Sequence, residues 1–140
     1  MLRPPKNTAK KPFAPRQEVE LDIDSLTNLG AGVARVDGWV VFVPFALPGE
    51  RVRVRIVRNE RKYSNAELLE VLRSAPERVA PRCPLFGECG GCQYQHLDYA
   101  AQLEWKSRHV GELMERMAGI SFPVNACLPS GEQWHYRSKI

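Results

Sequence analysis

The residues best suited to chemistry are three cysteines that lie close together in the chain. Cys83, Cys89 and Cys92 belong to the segment Cys-Pro-Leu-Phe-Gly-Glu-Cys-Gly-Gly-Cys. In a reducing compartment such a group favours a metal site over disulfides. Gly90 and Gly91 add no side-chain bulk, and their amides can point toward sulfide or thiolate sulfur. The spacing therefore predicts a metal or iron–sulfur centre in this loop.

A fourth ligand is needed, because four-iron clusters and structural zinc sites commonly take four protein ligands. Two candidates follow in the chain, His96 and Cys127. The simpler interpretation of Cys127 is a small buried apolar residue, and that of His96 is a histidine that hydrogen-bonds the backbone at the entry to a helix. Spacing alone leaves iron–sulfur and zinc both open.

A second chemical feature is an arginine-rich stretch. Arg51, Arg53 and Arg55 alternate with apolar residues, which places them on one face of a strand. Such a face favours an anionic partner such as RNA, although a solvated strand face is the simpler interpretation. The candidate RNA contacts are Arg51, Arg53, Arg55, Arg58, Arg61, Lys62 and Arg137, and nearby aromatics that could stack bases are Phe13, Trp39, Phe42, Phe45 and Tyr63.

These side chains need a scaffold, and residues 18–73 predict five short strands. Alternation begins at Glu18, Asp37-Gly38 marks a tight hairpin, and Leu47-Pro-Gly-Glu50 marks a further turn. A sheet of this size needs closure to remove its edges, so the fold predicted is a five-stranded barrel of the oligonucleotide-binding (OB) type. The fold class is mainly β with a smaller α part.

The remaining segments differ in character. Residues 1–17 carry five basic residues, four prolines and no acid, which predicts a basic disordered tail. Residues 74–97 form the cysteine-containing loop. Residues 98–119 predict a helix, with Asp98 as N-cap and Gly119 as its end. Residues 120–140 read as the start of a central or catalytic region that this chain does not finish.

Composition narrows the class of protein. The net charge of +4 leans toward an anionic partner, and no apolar run approaches the roughly 20 residues that cross a bilayer. We therefore expect a cytoplasmic protein, most simply a monomer, without a membrane partner. No glycine-rich nucleotide fingerprint follows a strand, and no nucleophile has an obvious base, so we assign no catalytic residue and no cofactor-binding residue outside the metal loop.

Taken together, the motifs resemble the amino-terminal region of bacterial RNA (uracil-C5)-methyltransferases of the ribosomal RNA type, which carry an iron–sulfur cluster. The resemblance lies in the strand that begins at Glu18 and in the following segments: Gly30-Ala-Gly-Val-Ala-Arg35, Val43-Pro-Phe-Ala-Leu-Pro-Gly-Glu50, Arg51–Val57, Ser74-Ala-Pro-Glu-Arg-Val79, Cys83-x5-Cys89-Gly-Gly-Cys92-Gln-x-Gln95-His96 and Tyr136-Arg137. It implies that the barrel is a TRAM domain.

The resemblance also implies cofactors and a partner. Cys83, Cys89 and Cys92 become three ligands of a [4Fe-4S] cluster, and the fourth lies outside this chain. S-adenosylmethionine and the catalytic cysteine belong to the full-length parent enzyme, whose substrate is expected to be ribosomal RNA. Two alternatives are a free-standing RNA-binding module with a structural zinc and a cluster-based redox sensor.

Overall fold

The computed structural model describes residues 12–136, which contain six strands and one helix. The strands are β1 (Glu18–Asp22), β2 (Ser25–Leu26), β3 (Ala31–Val36), β4 (Trp39–Pro44), β5 (Arg51–Asn59) and β6 (Tyr63–Arg73), and the helix is α1 (Tyr99–Ala118). All six strands form one sheet in the order β1-β5-β6-β4-β3-β2. The chain divides into two compact units, the first ending at Leu97 and the second beginning at Asp98.

The sheet curls because its two edge strands are successive parts of one bent segment. β1 pairs with β5 and β2 pairs with β3, both antiparallel. At the bend the amide of Ile23 donates to the carbonyl of Glu50, and the amide of Asp24 donates to that of Val33, both at 2.9 Å. The inward-facing positions also change parity there, since Ile23 and then Leu26 are buried. The mainly β, OB-like class is confirmed, but there are six strands instead of five because the predicted first strand is broken at this bend.

The turns and the core follow the sequence pattern. Asp37 and Gly38 have φ of 50° and 80° and join β3 to β4 by the predicted tight hairpin. Along β5 the side chains of Val52, Val54 and Ile56 are wholly buried, and together with residues of β1, β3, β4 and β6 they form the core. The arginines that alternate with them therefore lie on the opposite face of the strand.

The described part of the predicted tail, residues 12–17, is bonded to the barrel, so that part of the prediction was wrong. The amide of Arg16 donates to the carbonyl of Ile56 at 2.8 Å, and the amide of Ile56 donates to the carbonyl of Gln17 at 2.9 Å. The side-chain amide of Asn59 also donates to the carbonyl of Phe13 at 2.8 Å. These backbone groups find partners on β5 that the proline-rich sequence does not reveal. Residues 1–11 lie outside the described part of the chain.

The second unit contains α1 and the segment that follows it. The Asp98 carboxylate accepts from the amide of Ala100 at 3.0 Å, and Gly119 ends the helix in the left-handed region with φ 66°, as predicted. Within residues 119–136 there is no further helix or strand. The amide of Cys127 donates to the hydroxyl of Ser107 at 2.8 Å. Across residues 12–136, no helix combines the length and apolarity needed to cross a membrane.

Candidate metal centre and nucleic-acid interface

The cysteine loop, defined as residues 83–92, is fastened to the barrel by the residues that follow it. The side-chain carbonyl of Gln95 accepts from the amide of Cys83 at 3.0 Å. The hydroxyl of Tyr94 donates to the carbonyls of Thr27 and Asn28 at 3.1 and 3.0 Å. Burial raises the pKa of Tyr94, so this phenol stays protonated and keeps its donor. Within the Gln-x-Gln-His segment, Gln95 thus binds the start of the cysteine loop, and Tyr94 binds the turn between β2 and β3.

Gly30 completes this contact. It lies in the left-handed region with φ 85°, and a Cβ built there would lie 3.1 Å from the carbonyl oxygen of Gln93. A side chain at this position would crowd Gln93, which directly follows the cysteine loop, and would be strained in the left-handed conformation. Glycine is needed here for both its conformation and its size.

A buried ion pair holds the linker between β6 and the loop. The Glu50 side chain is 0% exposed, and its carboxylate accepts from Arg78 Nε at 2.6 Å. It also accepts from the amides of Leu47 and Ala75 at 2.8 and 3.3 Å. Burial acts to raise the pKa of Glu50, but the hydrogen bonds from Arg78 and the backbone outweigh it, and the pKa is lowered. Glu50 is thus an ionised carboxylate inside the first unit.

Arg78 and His96 extend this arrangement toward the cysteines. Arg78 also donates to the carbonyl of Phe45 at 2.7 Å, and Phe45 has a φ of 66° that is rare for a bulky residue. The His96 ring is 1% exposed and packs against the rings of Phe45 and Phe86 at 6.2 and 5.2 Å. Burial, helped by the charge of Arg78 and opposed by that of Glu50, lowers the pKa of His96 to about 4.

His96 is therefore a neutral imidazole at neutral pH. Neither ring nitrogen has a hydrogen-bond partner among residues 12–136, so the simple prediction that this side chain bonds the backbone was wrong. Instead, its own carbonyl accepts from the amide of Val79 at 3.0 Å. The aromatic contacts explain the difference, because they enclose the ring in apolar surface.

The three cysteines of the loop are accessible thiols. None of the four cysteines forms a disulfide, and Cys89 and Cys92 are exposed while Cys83 is half-buried. A cleft of about 260 Å³ lies between the loop and the barrel. The loop lines it with Gly87, Glu88, Cys89, Gly90, Cys92 and Gln93, and the barrel with Leu29, Gly30, Ala31, Pro44 and Phe45. Two of the predicted ligands thus face a space of molecular size.

The donor chemistry of this loop fits an iron–sulfur cluster. Three thiols without disulfide partners are the ligands that such clusters take. The loop is open around its glycines: a Cβ built at Gly90 would meet no atom within 4 Å, and one at Gly91 would make only ordinary contact with Cys89 Sγ at 3.4 Å. Within residues 12–136 no three His, Cys, Asp or Glu side chains are arranged around a common point. The assignment of Cys83, Cys89 and Cys92 as ligands therefore stays a prediction.

The arginine-rich strand is fully engaged with carboxylates. Four arginines and five carboxylates on β1, β5 and β6 form an exposed set of ion pairs, which we name the arginine ladder. Its members are Arg51, Arg53, Arg55, Arg73, Glu18, Glu20, Asp22, Glu67 and Glu70. The shortest pairs are Arg53–Glu70 at 2.7 Å, Arg51–Asp22 at 2.9 Å and Arg55–Glu18 at 2.9 Å. With one more acid than base, this face is not a cationic patch.

The other predicted RNA contacts lie elsewhere in the barrel. Arg58, Arg61 and Lys62 are at the β5–β6 hairpin, where Arg58 pairs with Glu60 at 2.7 Å. Arg61 and Lys62 are exposed and form no ion pair with any described residue. Arg137 lies outside the described residues.

The five candidate aromatics separate into two groups. Phe13 and Trp39 are partly buried and pack against the core, and Trp39 Nε1 donates to the hydroxyl of Ser64 at 2.9 Å. Phe42 is also half-buried, with its ring 5.3 Å from that of Tyr63. Phe45 and Tyr63 are the exposed members of the set, at opposite ends of β4 and β6.

Comparison with known proteins matches this architecture to a described domain. Residues 12–69 match the TRAM domain family. The chain carries a TRAM domain. The matched residues include the segment before β1 that is bonded to β5 and all six strands of the barrel up to Leu69 in β6. The predicted OB-like TRAM barrel is thereby confirmed.

The similarity extends beyond the TRAM domain. The chain is 42% identical over 123 residues to the 23S rRNA (uracil(1939)-C(5))-methyltransferase of Shewanella amazonensis, which covers 88% of this chain and 28% of that protein. It is 43% identical over 122 residues to an uncharacterized RNA methyltransferase of Halalkalibacterium halodurans, covering 86% and 27%. The chain thus spans just over a quarter of the length of these curated relatives. The predicted resemblance to RNA (uracil-C5)-methyltransferases is confirmed.

A solved structure is similar as well. The tRNA (uracil-54, C5)-methyltransferase of Pyrococcus abyssi, in complex with S-adenosyl-L-homocysteine, shares 32% identity and a TM-score of 0.51. The match covers 73% of this chain and 22% of that one. The likeness therefore includes part of the chain beyond the TRAM domain.

Proposed function

We propose that this chain is the RNA-binding and iron–sulfur-binding amino-terminal part of an S-adenosylmethionine-dependent RNA (uracil-C5)-methyltransferase that acts on ribosomal RNA. The observation that carries the proposal is a TRAM barrel with a three-cysteine loop fastened to it in one compact unit. The named relatives support the rest, since the Shewanella protein modifies a uracil of 23S rRNA.

In this proposal the cysteine loop holds a [4Fe-4S] cluster through Cys83, Cys89 and Cys92. When bound, such a cluster supplies a redox-capable centre and cross-links its cysteine ligands through iron. The chain's own contribution is to position the loop: Gln95 holds the amide of Cys83, and Tyr94 holds the loop against the β2–β3 turn. The fourth ligand is expected outside this chain.

The role assigned to the barrel is recognition of RNA, and methyl transfer is assigned to other parts of the parent enzyme. The most basic described region of the barrel is the β5–β6 hairpin, and OB-type barrels bind nucleic acid on strands and loops. Within residues 12–136 we identify no nucleophile paired with a base, and the proposed relation to S-adenosylmethionine rests on the relatives alone. A target uridine has to leave its stack to reach such a catalytic site.

The cluster is tested by anaerobic purification of the protein encoded by the complete gene, with iron, sulfide and zinc analysis and optical absorption. We expect iron and sulfide in equal amounts, and we expect Cys83→Ser, Cys89→Ser and Cys92→Ser each to lower iron content severalfold. Cys127→Ser is the matched control and should leave iron unchanged, because the proposal gives that residue no ligand role. Stoichiometric zinc without iron would contradict the cluster and favour the alternative function, an RNA-binding module with a structural zinc.

The enzymatic part is tested on the same preparation with S-adenosylmethionine carrying a labelled methyl group. Label should enter unmodified 23S rRNA at uracil carbon 5. Label in transfer RNA alone would contradict the assignment of ribosomal RNA. Label in neither RNA would contradict the methyltransferase assignment and favour an RNA-binding module without catalytic activity.

A further inference from the structure

The arginine ladder is poorly suited to hold phosphates, because its cations already have partners. Arg53 lies 3.6 Å from Glu20 and 2.7 Å from Glu70, and Arg55 lies between Glu18 and Glu67 in the same way. A phosphate that approached this face would have to displace carboxylates and meet their negative charge. Counterion release, which drives phosphate binding, requires cations that are not already neutralised.

The cationic tip offers the opposite situation. We define it as Arg16, Arg58, Glu60, Arg61 and Lys62, a set of four cations and one carboxylate in the segment before β1 and at the β5–β6 hairpin. Arg58 uses that carboxylate, while Arg16, Arg61 and Lys62 are exposed and form no ion pair with any residue from 12 to 136. Three positive charges are thus available at one end of β5, although the sequence gives no sign that Arg16 belongs with the hairpin.

Arg16 reaches this end of the strand through a built network. Its amide is bonded to Ile56, as described above, in a left-handed conformation with φ 64° that is uncommon outside glycine. Asn59 donates to the carbonyl of Phe13, and its side-chain carbonyl accepts from the Ser64 hydroxyl at 2.6 Å. The same hydroxyl accepts from Trp39. The network joins the segment before β1 to both strands of the hairpin, so the backbone that carries Arg16 is held against the hairpin before any ligand binds.

An aromatic side chain stands next to these cations. Tyr63 follows Lys62 directly, and 37% of it is exposed. Its ring meets that of Phe42 edge to face, with centroids 5.3 Å apart and an interplanar angle of 71°. The contact restrains the ring while leaving part of it open to solvent. A restrained, exposed aromatic ring beside cations is the arrangement by which proteins bind single-stranded nucleic acid.

We propose that the cationic tip is the site at which this barrel binds RNA: Arg16, Arg61 and Lys62 hold phosphates of one unpaired strand, and a base stacks on Tyr63. The arginine ladder does not contact RNA, and its ion pairs stabilise the sheet. The proposal rests on the RNA-binding function proposed above and says where on the barrel that function resides.

The test compares two variants of the whole chain that lose the same charge. Arg61→Gln with Lys62→Gln removes two cations from the tip, and Arg53→Gln with Arg55→Gln removes two from the ladder. The probe is a short, unstructured, fluorescein-labelled single-stranded RNA, and its affinity is followed by anisotropy over a range of KCl. Both variants are first compared with wild type by thermal unfolding, so that a loss of fold is not read as a loss of contact.

We expect the tip variant to bind about tenfold more weakly, with its salt slope reduced by roughly 1.4, or about 0.7 for each lost phosphate contact. The ladder variant should change by less than about twofold at physiological ionic strength, where the screening length is about 8 Å. A ladder variant that loses as much as the tip variant, or more, would overturn the site but leave RNA binding intact. A wild-type chain that does not bind the probe would remove both this site and the proposed RNA-binding function, without affecting the iron analysis.

Discussion

The arginine ladder and the cationic tip lie on the same strand, yet they present opposite electrostatics. The ladder has four arginines and five carboxylates in contact with one another, whereas the tip has four cations and a single carboxylate, Glu60, which pairs with Arg58. The sequence alone favours the ladder as the more basic region, since Arg51, Arg53 and Arg55 form the denser run of cations. The difference comes from the neighbouring strands, because β1 and β6 bring acids to the ladder and β6 brings none to the tip.

The electrostatic character of a run of like charges in a strand depends on its cross-strand partners. In the antiparallel register Glu20 stands opposite Arg53 and Glu18 opposite Arg55, and on the other side Glu70 and Glu67 take the same positions. Opposite charges at such positions stabilise a sheet. The repulsion expected within the arginine run is thereby relieved inside the fold, and no external anion is required.

The largest effect should come from an ion pair unlike those of the ladder. Glu50→Gln places an amide where the buried carboxylate meets Arg78 and leaves that guanidinium without its counter-charge. We expect it to lower the free energy of unfolding by about 3 kcal/mol or more. Arg53→Gln breaks ladder pairs whose arginine is 42% exposed and should cost less than about 1 kcal/mol.

Chemical denaturation of both variants measures this contrast. Equal losses would mean that the ladder contributes to stability as a buried network does, and the division between exposed and buried pairs would then be wrong. Limited proteolysis provides a second measurement. Arg78 joins residues 74–97 to the barrel through Glu50 and the carbonyl of Phe45, so Glu50→Gln should speed cleavage of this segment and Arg53→Gln should not.

A smaller effect should follow from removal of the exposed ring at the tip. Tyr63→Ala removes a stacking surface worth about 1–3 kcal/mol per base, so RNA affinity should fall roughly tenfold. The matched control Tyr63→Phe keeps the ring and should bind as wild type does. If both variants lose affinity equally, the hydroxyl and not the ring is what contacts RNA.

The smallest effect, in the opposite direction, should come from uncovering the ladder. Glu20→Gln with Glu70→Gln deprives Arg53 of both its carboxylates and turns the face from one net negative to one net positive charge. Affinity for single-stranded RNA should rise about two- to threefold, with a steeper salt dependence. Anisotropy titration of Glu77→Gln, which removes one negative charge outside both regions, measures what net charge alone contributes per carboxylate, and a gain in the double variant of more than twice that contribution, in free energy, depends on position.

Much of the barrel could be predicted because its signals are local. The alternation of Val52, Val54 and Ile56 predicts which face is buried, and Asp37-Gly38 predicts a hairpin that needs left-handed backbone at both positions. The caps of α1 were predicted for the same reason, since Asp98 and Gly119 act on neighbouring backbone groups. The bend at Ile23–Asp24 was missed, because it depends on bonds to Glu50, in the turn before β5, and to Val33 of β3, both distant in the sequence.

The candidate site divides along the same line. Three cysteines within one loop are recognisable as possible ligands from their spacing alone. The roles of Glu50, Arg78 and Tyr94 were missed, since each acts across a distance in the chain that no short motif records. The burial of the His96 ring was not predictable either, because Phe45 and Phe86 enclose it from two separate segments.

The sequence by itself determined the TRAM barrel, the positions of its turns and the identity of the three thiols, because period, turn chemistry and ligand type are properties of short segments. Only the tertiary structure decided which cations are available. Strand register sets carboxylates against Arg51, Arg53 and Arg55, and a hydrogen-bond network through Asn59 brings Arg16 to the β5–β6 hairpin. Charge acts through space over a few ångströms, so its effect depends on neighbours that only folding supplies.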